Sequence, residues 1–553
     1  MIRRRTAMTI AVAVLGVAVV VPRLPALGAL GLMQYNWFGR VEKFIAAIGD
    51  GRFADTYQAP HPGVTLMWLT GGVLAAAQWF YGPIAGRERV WFFELTQVIW
   101  ALVLLALLFV VLRRTLVVYG ERPEHADWIA LVPCVLIAID PLVITMTRAV
   151  SLDGPLGLHA LLAVCLFLIA VRTRALADEL FAGVAAGITV LTKMPGLIFL
   201  FGMGLWLLVR ALRERHDPHA RRSLRSVLVV PAVAAATTVI LWPALWVAPG
   251  RTLIQMAATR EQVAQIERGD LGSLLAARPD RHGFDALLDV ILHPHKANNA
   301  DVLYGRLRAA WQYYPAVVLF KTPPVTLVLA AVGAALSISA WRRRSTNATL
   351  AVLGYSLLFG LLYFTCMSIA AKKTWRYMVT VEVFLELAAG LTFAWLAQAA
   401  IRRQRYWVPA ALAAPLLLQS VDVLAHEPYF LTYYNPLLGG RAVAEQYVMI
   451  EWGDGIGEAA RYMSEHARNR PVRFIATGTI TPRLRIMIGD AHYVGRPSDA
   501  EFLVIDYRQF LQADFSPLAR AYWKTRRPEH VVWIRGVPRM WIYRMDQGAG
   551  GTL

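Results

Sequence analysis

The chain has 553 residues, of which 57% are hydrophobic and 17% charged. With a mean hydropathy of +0.46, it reads as a polytopic membrane protein rather than a soluble domain. Lys and Arg number 56 against 37 acidic residues, a net charge of +19. In a soluble chain that excess would raise nucleic acid as a partner. Here it gathers in short loops, at Arg3 to Arg5, Arg113-Arg114, Arg210 to Arg225, Arg342 to Arg344 and Arg402 to Arg405. There it orients spans and meets anionic lipid, and no nucleic-acid motif accompanies it.

Met1 to Arg5 followed by an apolar run reads as an uncleaved first helix, because no small-residue cleavage site follows and further spans do. Runs near 8–30, 91–112, 128–147, 155–171, 195–212, 226–247, 323–341, 348–368, 378–398 and 407–424 approach the ~20 apolar residues a bilayer core requires. The shorter run 180–192 is read as a span too, since Arg172 and Arg174 precede it and Lys193 follows. Parity decides the run 64–82. With Arg3 to Arg5 inside and 64–82 not crossing, Arg113-Arg114, Arg172-Arg174, Arg210 to Arg225, Arg342 to Arg344 and Arg402 to Arg405 all fall inside, and the stretches 31–90, 249–322 and 425–553 fall outside. The run 64–82 is therefore expected to lie on, or dip into, the outer face. Eleven spans result, in a cell inner or plasma membrane, with the amino terminus cytoplasmic and the carboxyl terminus outside.

Beyond residue 425 the pattern changes to short β-like runs, Val472 to Thr477, Phe502 to Tyr507, Val531 to Arg535 and Met540 to Tyr543, with helical stretches such as Ile456 to Ala467 between them. The expected fold class is thus a polytopic α-helical membrane domain, residues 1–424, with a small extracytoplasmic α/β domain, residues 425–553. Cys134, Cys165 and Cys366 all lie in apolar runs and imply neither a disulfide framework nor a metal site.

Chemistry-bearing residues collect on the outer side. The first outer loop holds Trp37-Phe38-Gly39-Arg40, an amphipathic piece (Val41 to Ile48) and Thr56-Tyr57-Gln58-Ala59-Pro60-His61-Pro62-Gly63-Val64. Asp50 sits in a simple Gly-Asp-Gly turn, with Asp55 close by. Asp140 and Asp153 bracket the outer end of the third span, with Arg148 between them as the obvious ion-pair partner. Lys193 stands at another outer kink, Thr192-Lys193-Met194-Pro195-Gly196. In the loop 249–322, His293, His295 and Lys296 form at most a weak zinc signal, and Trp311 to Pro315 read equally as an interfacial belt or a sugar-stacking surface. Lys372-Lys373-Thr374-Trp375-Arg376-Tyr377 is a basic cluster on the side where basic residues are not expected, which suggests a lipid-phosphate site.

These pieces, in this order, resemble the GT-C membrane glycosyltransferases: protein O-mannosyltransferases, lipid A aminoarabinose transferases and bacterial lipid-carrier-dependent enzymes. The most specific stretches are Thr56 to Val64 with Met67-Trp68, and His426-Glu427-Pro428-Tyr429-Phe430-Leu431-Thr432-Tyr433-Tyr434-Asn435-Pro436 through Gly440, followed by Glu451-Trp452-Gly453-Asp454-Gly455. The resemblance implies transfer of a sugar, with inversion, from a polyprenyl-phosphate donor to a glycan, lipid or protein acceptor, and leaves a divalent metal open. It implies Asp153 as catalytic carboxylate, with Asp140 in reserve, and Lys372, Lys373, Arg376 and His61 on the donor phosphate. Arg40, Tyr57, Arg148 and Lys193 would position substrate.

One departure stands out. The related enzymes carry an Asp-Glu pair just ahead of the first-loop aromatic cluster, where alignment through Trp37 and Arg40 puts Met33 and Gln34. Neither side chain ionises. Besides an active transferase, the sequence therefore leaves open an impaired scaffold that binds lipid-linked sugars, in which restoring Asp at residue 33 would raise activity. It also leaves open a transporter or flippase, although no inverted repeat is visible.

Overall fold

The computed structural model describes residues 2–214, 220–257, 310–370, 373–448, 450, 452–476, 480–507 and 516–545. Among these residues, seven helices are long and apolar enough to cross a membrane: Gly86–Val118, Asp153–Thr173, Gly196–Arg213, Pro324–Arg342, Ala348–Ile369, Trp375–Arg402 and Trp407–Leu424. The pair Pro123–Ile139 and Pro141–Arg148, bent by 70°, makes an eighth if taken as one span. Helices Ile2–Val20, Leu176–Thr192 and Ala220–Leu241 fall on the other three expected runs. Helix Val64–Tyr81 is not among the span candidates. It lies along helix Asn36–Gly49, with Gly71 beneath Ile45, and Trp68 donates to the Leu241 carbonyl at 2.8 Å.

Three expected runs differ from continuous spans, one of them 226–247, whose helix ends at Leu241 ahead of Pro243. The run 128–147 breaks at Asp140, where Pro141 brings no N–H and the Asp140 carboxylate caps the next helix by accepting from Val143 N at 2.8 Å. The run 8–30 is helical only to Val20. Gly28 and Gly31 then take φ of +68° and +70°. A Cβ at Gly31 would lie 2.7 Å from Ile456 Cγ2, so this turn presses against the carboxyl-terminal domain.

Helices Asp153–Thr173 and Trp375–Arg402 form the buried centre, with 83% and 78% of their apolar windows covered, against 17% for Trp407–Leu424 at the rim. Small residues let neighbouring backbones approach, as expected where apolar burial gives little drive between helices in lipid. At Gly390, for example, a Cβ would stand 2.4 Å from Pro133 Cα. Gly390→Val is expected to cost at least the ~1–3 kcal/mol typical of overpacking, read as a lower melting temperature in nanodiscs. An unchanged melting temperature would contradict this packing.

The carboxyl-terminal sheet consists of β1 (Val472–Ala476), β2 (Ala491–Tyr493), β3 (Phe502–Asp506), β4 (His530–Ile534) and β5 (Val537–Arg544). Their order is β2-β1-β3-β5-β4, with β1 parallel to both its neighbours and β5 antiparallel to both of its own. Arg535 and Gly536, both at positive φ, close the β4–β5 hairpin with the twist such turns favour. Strand β2 went unseen in the sequence because three residues carry no readable alternation.

Candidate functional site

Helix Asp153–Thr173 starts with a buried carboxylate. Gly154 makes this start possible, since a Cβ there would meet the Met146 carbonyl oxygen at 2.4 Å. Lys193, itself buried at the kink after helix Leu176–Thr192, forms an ion pair with Asp153 Oδ1. Its ammonium also lies 4.4 Å from the Tyr377 ring centroid. Ser151 Oγ donates to Asp153 Oδ2 at 3.4 Å, and Gln34 Nε2 reaches the same oxygen at 3.4 Å.

Gln34 is held in turn. Its Oε1 accepts from Trp37 Nε1 at 2.7 Å, and its backbone N–H donates to the Val150 carbonyl at 3.1 Å. The Pro-His-Pro-Gly turn stacks onto this assembly: Gly63 has φ +60°, and a Cβ there would fall 2.2 Å from the Trp37 ring. That contact brings His61 into electrostatic range of Asp153. Arg376 comes into the same range from the short turn Trp375–Tyr377. Tyr363 and Tyr377 complete the surroundings of the carboxylate. The site therefore joins one carboxylate to one ammonium and one guanidinium, a balance that favours an additional anion.

Other sequence candidates lie elsewhere. Lys373 turns back onto the end of helix Ala348–Ile369, donating to the carbonyls of Met367, Ser368 and Ala370 at 3.1, 2.5 and 2.6 Å. That is the position where a cation offsets the helix dipole, and burial pulls its pKa below the ordinary lysine value. Lys372, His293, His295 and Lys296 lie outside the described residues. Asp140 is the helix cap described above and sits in electrostatic range of buried Glu382 and Glu386, away from the contacts of Asp153. Arg148 pairs with neither aspartate; its Nε lies 3.9 Å from Glu94, whose Oε2 also accepts from Gly28 N. Arg40 stacks on Trp37 at 4.7 Å, Tyr57 stacks on Trp242 at 6.2 Å, and Asp50 and Asp55 both pair with Arg52 at the surface.

Two features were missed in the sequence. Glu382 and Glu386 are bonded by Thr322 and Thr326 inside the bundle, and nothing in an apolar run reveals such partners. Lys321 donates to the carbonyls of Leu431 and Tyr433, both at 2.6 Å, and lies 3.4 Å from the Tyr434 ring centroid. Burial drives its pKa well below the ordinary lysine value. The run His426 to Gly440 folds over this buried lysine, which ties the segment leading into the carboxyl-terminal domain to the bundle. Among the described residues no group of three or more His, Cys, Asp or Glu could hold a metal ion.

Residues 88–252, which contain Asp153 and Lys193, match the family model described as dolichyl-phosphate-mannose-protein mannosyltransferase. That match covers under a third of the chain. The chain is also similar to solved structures at low identity. One is ArnT from Cupriavidus metallidurans in the apo state, at 15% identity over 99% of this chain and 98% of that one, with a TM-score of 0.47. The same protein bound to undecaprenyl phosphate gives 16% identity, 97% of each chain and a TM-score of 0.43. The Archaeoglobus fulgidus oligosaccharyltransferase tethered with an acceptor peptide gives 12% identity over 91% of this chain and 68% of that one, with a TM-score of 0.47. No curated protein matches the sequence.

Proposed function

We propose that this chain is a GT-C glycosyltransferase that moves a sugar from a polyprenyl-phosphate donor to a hydroxyl of a glycan, lipid or protein acceptor, with inversion, on the extracytoplasmic face. One observation carries the reading: Asp153, Lys193, Arg376 and His61 converge from four separate parts of the chain. The described match to a mannosyltransferase that uses a dolichyl-phosphate sugar supports the donor class. The basic loops support the sidedness, since they belong in the cytoplasm and leave this site outside.

In the reaction the acceptor oxygen bonds to the sugar C1 as the bond from C1 to the phosphate oxygen breaks. The carrier departs as polyprenyl phosphate, and the acceptor proton passes to Asp153. Lys193 keeps that carboxylate ionised and ready to accept it. Arg376, with His61, neutralises charge that grows on the leaving phosphate, a contribution commonly larger than proton transfer.

Arg376→Ala is expected to weaken binding of undecaprenyl phosphate about tenfold or more, the value of one charge-assisted hydrogen bond, measured by titration of the full chain in nanodiscs. Unchanged affinity in a folded variant would remove Arg376 from the phosphate.

A further inference from the structure

The carboxyl-terminal domain reaches into this site through one tryptophan. Trp452 is buried, with 4% of its surface exposed. The guanidinium of Arg376 lies 5.6 Å from its ring centroid, and that of Arg483, from helix Thr481–Ile488, lies 5.6 Å from it as well. Trp375 meets the same ring edge-on at 6.4 Å. The backbone around Trp452 is built for the contact. Gly453 and Gly455 have φ of +86° and +97°, and a Cβ at Gly453 would stand 2.7 Å from Arg483 Nη1. That same nitrogen donates to the Trp452 carbonyl. A side chain at residue 453 would thus push Arg483 away from the loop it fastens.

The domain is seated on a second side of the site. Gly457 N donates to the Leu30 carbonyl at 3.2 Å, and a Cβ at Gly457 would fall 1.7 Å from the Ala29 carbonyl oxygen. The chain runs directly from there to Gln34 and its contact with Asp153. A guanidinium on a mobile side chain would lose rotamer freedom on gripping a phosphate. One already resting on an indole face has lost much of it and retains its planar fork for the anion.

We propose that Trp452 and Arg483 are positioning residues for the donor phosphate: Arg483 fixes the Trp452 loop, and the Trp452 ring holds Arg376 in its binding pose, so that the carboxyl-terminal domain is part of the donor site. This rests on the assignment of Arg376 to the phosphate above. It requires no contact between the domain and the sugar or the acceptor.

The test is undecaprenyl phosphate binding by the full chain in nanodiscs, with melting temperature as the folding control. Trp452→Ala is expected to weaken binding about tenfold, and Trp452→Phe, which keeps a π face, to recover most of the loss. Arg483→Met, which removes the guanidinium but keeps the stem, is expected to weaken binding in the same direction and carries the test where Trp452→Ala does not fold. The pair Arg376→Ala and Trp452→Ala is expected to be non-additive, with the double variant no worse than Arg376→Ala alone. Full additivity, or carrier affinity unchanged in folded Trp452→Ala and Arg483→Met, would overturn the proposal. If Arg376→Ala itself left affinity unchanged, the donor-site reading would fall first; if only Arg376→Ala lowered it, the positioning role alone would fall.

Discussion

Asp153→Asn should lower turnover by about 10²–10⁴-fold, the range associated with loss of a positioned proton acceptor, while carrier affinity stays close to that of the native chain. The substitution keeps the shape of the side chain and removes only its charge. It also strands Lys193, because both partners of this ion pair are buried. Breaking a buried pair by removing one partner costs about 3–5 kcal/mol, so the single variant should melt earlier as well. Asp153→Asn combined with Lys193→Gln removes the stranded ammonium. That double variant should recover most of the stability and none of the turnover, which separates the chemical loss from the structural one. Single-turnover sugar transfer measured beside undecaprenyl phosphate titration reads both effects. Turnover within tenfold of the native value in Asp153→Asn would remove this carboxylate from the chemistry.

Much of the bundle was legible because hydropathy reports burial in lipid directly. Breaks inside apolar runs were legible in principle and were passed over. Asp140-Pro141 joins a good helix cap to a residue without an N–H, and Pro22, Pro25, Gly28 and Gly31 crowd the end of the first run. The site was visible as residue types that are costly near a membrane, Asp153, Lys193 and Arg376. What each of them touches was not. Arg148 has Asp140 and Asp153 as sequence neighbours yet pairs with Glu94 from another helix. Lys373 and Arg376 read as one cluster, but a single turn sends Lys373 to the carbonyls of the preceding helix and leaves Arg376 in range of Asp153. Sequence spacing predicts which residues share a turn; it does not predict which side of the turn faces the site.

The same distinction applies to the absent first-loop carboxylate. Met33→Asp should not restore activity; it should destabilise the protein. Met33 is fully buried in the main hydrophobic core and bridges backbone to backbone with Val150. An aspartate there would bury a carboxylate among apolar side chains or neutralise it, at a cost of about 3 kcal/mol or more. Gln34 is the residue whose side chain reaches Asp153. Gln34→Glu keeps an oxygen for Trp37 Nε1 but sets a second carboxylate against Asp153 Oδ2, which repels it. Because Gln34 is only half-buried, this variant should melt somewhat below the native chain, with Met33→Asp melting earlier still. Melting temperatures and turnover of the two variants, measured side by side, decide the matter. A rise in turnover for Met33→Asp would mean that the native chain is an impaired scaffold awaiting its carboxylate. A fall in both quantities fits a site in which the Gln34 amide bonds a lone catalytic aspartate without competing with it for Lys193.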